Sequence, residues 1–70
     1  MRTEKILKEI EKITNEERFI SKEQFEQIEL LPHVYIENCG ASGSGKGTLY
    51  TVYFMGPETN IELIELILRY

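Results

Sequence analysis

The sequence predicts a single small α+β domain over residues 1–70, in the order helix, helix, strand, strand, helix. Three observations predict it. Apolar residues recur at helical spacing near the N-terminus. A capping box opens a second helical stretch at Ser21. Two β-branched and aromatic runs flank a glycine-serine stretch at 40–47. Seventy residues leave room for one domain only.

The first helix is expected over residues 3–14. Ile6, Leu7, Ile10 and Ile13 fall on one face of a 3.6-residue period. Thr3 is a candidate N-cap, Glu4 and Lys8 stand at the favourable i, i+4 spacing, and Asn15 tolerates the left-handed backbone that ends helices. The second helix starts with Ser21-Lys22-Glu23-Gln24, where the serine hydroxyl takes one free N–H and the glutamine reaches back to another. Ile20 and Phe25 are placed for a hydrophobic staple. Phe25, Ile28 and Leu30 or Leu31 form the inward stripe, and Pro32 ends the helix.

Residues 33–39 and 48–55 read as the two strands of an antiparallel hairpin, joined by a long loop at 40–47. With Val34 opposite Val52, one face collects Val34, Ile36, Tyr50, Val52 and Phe54. The other holds His33, Tyr35, Glu37, Thr51 and Tyr53. Gly56-Pro57 breaks the second strand. Residues 59–62, Thr-Asn-Ile-Glu, offer another capping box, and residues 60–69 are expected as a helix. Glu62, Glu65 and Arg69 share one stripe of that helix, whereas a regular strand would put the two glutamates on opposite faces; a third strand is the alternative, since isoleucine is common there. A helix apolar over most of its circumference must be covered, which points to a homodimer through it.

Twelve acids against eight bases give a net charge of −4, and every acid is a glutamate. Neither half of the chain is a basic arm. Such a balance disfavours nucleic acid and anionic membrane surfaces as partners. No apolar run is long enough for a membrane span, the charged N-terminus does not read as a signal peptide, and one cysteine fits a reducing compartment. A cytoplasmic protein is expected.

Residues 40–48, Gly-Ala-Ser-Gly-Ser-Gly-Lys-Gly-Thr, resemble the Walker A loop of nucleoside monophosphate kinases, with Ser42 where that family usually has proline. The resemblance implies a phosphate site in which Gly43, Gly45 and Gly47, with Gly40, form a nest of backbone N–H groups. Lys46 would reach the phosphates and Thr48 a magnesium ion. It covers nine of the 70 residues. A phosphate loop must run into a helix, but Leu49 to Met55 has strand composition, and the chain has no Asp for the metal. The leading reading is therefore a hairpin loop.

Cys39 and His33 stand about 20 Å apart on an extended strand, too far for a nucleophile and its base. Cys39 reads instead as a small core residue and His33 as a half-exposed strand start. One His, one Cys and no Asp make no zinc set, and no cofactor or metal is expected. The expected function is non-enzymatic: binding to, and regulation or inhibition of, a larger protein through Tyr35, Tyr53, Ser44 and Lys46. Size and charge are those of the small acidic inhibitors, anti-CRISPR proteins among them, that phages and mobile elements direct at host defences. The alternatives are a nucleotide or phosphate binder using 40–48, and a winged-helix-like nucleic-acid binder with 40–47 as the wing.

Overall fold

A computed structural model describes residues 2–43, 45–56 and 60–69. The elements run α1 (Arg2–Thr14), β1 (Phe19–Ile20), α2 (Lys22–Glu29), β2 (Val34–Ala41), β3 (Gly47–Met55) and β4 (Asn60–Arg69). The strands form one mixed sheet in the order β1-β4-β3-β2, with β1 parallel to β4 and the other pairs antiparallel.

The two helices follow local rules. Arg2 already belongs to α1, so Thr3 lies inside the first turn rather than capping it. At the other end Asn15 and Glu16 take φ of 56° and 60°, and Glu16 N–H donates to the Glu11 carbonyl, closing the last turn. The capping box of α2 forms in full. Gln24 N–H donates to Ser21 Oγ at 3.2 Å, and Ser21 N–H donates to Gln24 Oε1 at 2.8 Å. Gln24 Nε2 also donates to the Ile13 carbonyl at 3.1 Å, so one side chain ties the start of α2 to the end of α1.

The expected C-terminal helix does not form. Residues 60–69 are β4, paired along their whole length with β3. A regular strand would separate Glu62 from Glu65, and a bulge removes that obstacle. Glu62 lies opposite Tyr53 and Ile64 opposite Val52, which leaves Leu63 as the extra residue. That single insertion brings Glu62 and Glu65 to the same face. The order α-α-β-β-α is thereby corrected, and a homodimer through a C-terminal helix has no such helix to run through. Leu66 is instead 1% exposed within the chain's own core. The second capping box and the strand break fall partly on Pro57 and Thr59, outside the described residues.

Both helices pack on one face of the sheet. Ile10 of α1, Ile28 of α2, Ile20, Val52 and Leu66 form the buried core, with Ile6, Ile13, Phe25, Leu31, Val34, Ile36, Ile64 and Leu68 packed around it. The Phe25 ring lies 4.6 Å from that of Tyr50. No described element covers the opposite face.

Candidate functional site

The open face is the candidate site, and alternation along the strands decides what it presents. The hairpin forms, but Val34 pairs with Phe54 and Ile36 with Val52, two residues away from the expected register. An even shift preserves the faces. Tyr35, Glu37, Thr51 and Tyr53 therefore lie on the open side as expected. His33 leaves the set, because its φ of 60° breaks the alternation and its ring packs 6.0 Å from Phe54, which is on the covered side.

The open face is built in cross-strand rows. Tyr35, Tyr53 and Glu62 form one row, and Glu37, Thr51 and Glu65 the next. Leu49, Ile67 and Phe19 follow, with the Arg69 guanidinium 5.9 Å over the Phe19 ring. The tyrosine rings stand 6.1 Å apart at an interplanar angle of 35°. Thr51 is only 4% exposed although no helix covers it, because its neighbours' side chains close over it. Cys39, expected in the core, is exposed, with Sγ 3.2 Å from Thr51 Oγ1. Its place next to the glycine bulge puts it at the sheet's margin.

Three carboxylates, Glu37, Glu62 and Glu65, thus ring one threonine and one tyrosine. Among the described residues none of the three has an ion-pair partner. Two of them, Glu37 and Glu62, act on Tyr53. Partial burial, then the Glu37 charge and a hydrogen bond to its side chain, then Glu62, push the phenol above its ordinary value of 10.0.

The glycine loop is smaller than the sequence suggests. The strands extend to Ala41 and from Gly47, and Ser42 N–H donates to the Gly47 carbonyl at 2.9 Å. Gly45 N–H donates to the Ser42 carbonyl, and Gly40 N–H to Asn38 Oδ1. Donors that a phosphate nest requires are therefore spent on the protein itself. Gly40 and Gly45 hold φ of 90° and 70° at a bulge and a turn, and a Cβ on Gly47 would collide with the Leu68 carbonyl of β4. Thr48 lies in β3, not at a helix N-terminus. For the winged-helix reading, the exposed residues of α2 include Glu23, Glu26 and Glu29 against Lys22.

Of the expected partner-binding residues, Tyr35 and Tyr53 are brought together. Lys46 is exposed at the far end of the hairpin, about 23 Å from Tyr53 at 3.3 Å per residue. Ser44 lies outside the described residues. Sequence reasoning misses Glu62, Glu65, Ile67 and Phe19 as members of this face, because residues 60–69 fit a helical pattern and β1 is only two residues long. The apolar pair Phe19-Ile20 was the signal available for β1. Comparison with protein-family models, curated proteins and solved structures finds no match.

Proposed function

We propose that this is a non-enzymatic binding protein that regulates or blocks a larger protein by laying its open sheet face on a basic surface. The observation that carries the reading is the Tyr35–Tyr53 pair set among three carboxylates that have no ion-pair partner among the described residues, on a face no described helix covers. Tyrosines supply rigid contact area at low entropic cost, and they are enriched where interface energy concentrates. A cationic partner would meet three negative charges on neighbouring rows that have no ion-pair partner among the described residues. Complementary charge also speeds encounter and rejects acidic competitors. Inhibition of this kind needs no chemistry from the small protein, only occupancy of a groove. It suits an acidic 70-residue chain of the sort that size and charge suggest.

The test uses the intact protein as bait in its host lysate, beside a Glu37→Gln/Glu62→Gln/Glu65→Gln variant and a Tyr35→Ala/Tyr53→Ala variant. The expected result is a stoichiometric partner that elutes as salt rises and that both variants lose. A partner retained by both variants overturns the reading.

A further inference from the structure

We propose that β2 is a docking edge: an extended basic segment of the partner adds to residues 34–38 as a fifth strand. This rests on the basic partner proposed above and states how its chain is held.

The direction of the hydrogen bonds comes first. Met55 N–H donates to the His33 carbonyl at 2.8 Å, which makes 33 and 55 a hydrogen-bonded pair. In an antiparallel ladder such pairs recur every second residue, so Tyr35 and Tyr53, then Glu37 and Thr51, exchange bonds next. The N–H and C=O groups of Val34, Ile36 and Asn38 consequently point away from β3. β2 is the last strand of the sheet, and no described backbone group bonds to theirs. Six groups on three alternate residues await a strand.

The two flanks of the sheet differ. On the β4 side, β1 pairs with Ile67 and Leu68, and the Arg18 carbonyl accepts from Ile67 N–H, so the end of that flank is closed. β2 has no such cover. Edge strands are usually guarded by lysine, proline or a bulge. Residues 34–41 contain no Lys, Arg or Pro. The bulge at Cys39 and Gly40, with Gly40 at φ 90°, limits the edge rather than closing it, and His33 at φ 60° limits the other end. Five residues remain, about 17 Å of strand.

Charge selects the guest. On the open side of the edge stand Tyr35 and Glu37, both exposed, with Glu62 and Glu65 behind them. On the other side Val34 and Ile36 are half-buried, and α2 exposes Glu23, Glu26 and Glu29. A guest strand alternating cationic and apolar side chains matches both flanks. It sets Lys or Arg beside Glu37 and over the Tyr35 ring, and apolar groups beside Val34 and Ile36. A second copy is the poorer guest. Pairing β2 with β2 would fuse two open faces, each with the same three carboxylates, into one acidic surface.

The test uses the full chain with a synthetic eight-residue peptide of alternating lysine and valine, a Lys/Val block peptide and an alternating Glu/Val peptide. Amide hydrogen exchange is followed by NMR. The alternating lysine peptide is expected to slow exchange at Val34, Ile36 and Asn38 by about tenfold or more, and to leave the amides of Tyr35 and Glu37, already bonded to β3, unchanged. The chain synthesised with an N-methyl group on Ile36 should bind about tenfold more weakly, since a donor is lost and the approach is blocked, with the CD spectrum and melting temperature unchanged. Ile36→Pro is the genetically encoded counterpart, and NMR reports whether it folds. Binding without new protection at those three amides, or binding indifferent to N-methylation, overturns the edge while leaving the face. No binding by the alternating lysine peptide overturns it as well. So does protection of the three amides in the free protein together with a dimeric mass, which would make a second copy the occupant. Conversely, protection and N-methyl sensitivity that persist in the triple Gln variant would keep the edge and sink the acidic-face reading.

Discussion

Val52 and Thr51 are neighbours on β3, 1% and 4% exposed, and yet they are buried for different reasons. Val52 lies on the face that carries the two helices, in one buried cluster with Ile10 of α1 and Ile28 of α2. Thr51 lies on the uncovered face, closed in by the cross-strand groups of its own sheet. Burial on the first side expresses packing between layers. Burial on the second expresses only the crowding of a central strand, and the surrounding groups are polar, charged and free to meet another molecule. The same depth of burial therefore marks the core on one face and the centre of a contact surface on the other.

Substitutions can sharpen or break that contrast. The largest effect belongs to the covered face. Ile28, fully buried between α2 and the sheet, should lose about 2–5 kcal/mol of stability in urea unfolding when changed to Ala. A loss below that range would mean that the helices are only loosely docked. Next comes Gln24→Ala, which removes half the capping box and the bond to the Ile13 carbonyl. It should cost about 1 kcal/mol in the same assay. On the open face, Glu65→Gln removes one of three clustered charges and should change stability by no more than about 0.5 kcal/mol, in the stabilising direction at low salt. A large loss there would mean that the face supports the fold.

The smallest effect is Tyr53. Its phenol is held above 10.0 in the folded chain, so the protonated form is favoured by folding. The associated stability is complete below pH 10.0 and declines as pH rises through the folded value. Tyr53→Phe should show a shallower fall in unfolding free energy above that pH than the parent chain. Equal slopes would show that Glu37 and Glu62 do not act on the ring.

The helices were legible because their signals are local. Ser21 and Gln24 are three residues apart and meet within one turn, and Asn15 needs only its own backbone preference to end α1. The hairpin was legible for a similar reason, since Tyr35, Glu37, Thr51 and Tyr53 keep their face under any even slip of register. The homodimer rested on a segment whose neighbours the sequence does not show, whereas the strand composition of Leu49 to Met55 was enough to read 40–47 as a hairpin connection rather than a phosphate loop. Residues 60–69 satisfied a helical wheel because three polar side chains fell in one stripe. A strand with one bulge produces the same clustering, and the chain's own text does not show where a bulge will sit.

Local signals are enough to specify α1, α2 with its capping box, the antiparallel hairpin and the division of that hairpin into an apolar and a tyrosine-acid face. Those properties depend on residues close in the chain, whose hydrogen bonds and side-chain directions follow from backbone geometry. Long-range pairing makes residues 60–69 a strand, sets Phe19 and Ile20 beside it as another, and brings Glu62 and Glu65 to the face of Glu37 and Thr51. Each of these depends on pairing between distant segments. There the β3 surface, already half-built and rich in unpaired backbone groups, outweighs what an isolated segment would prefer.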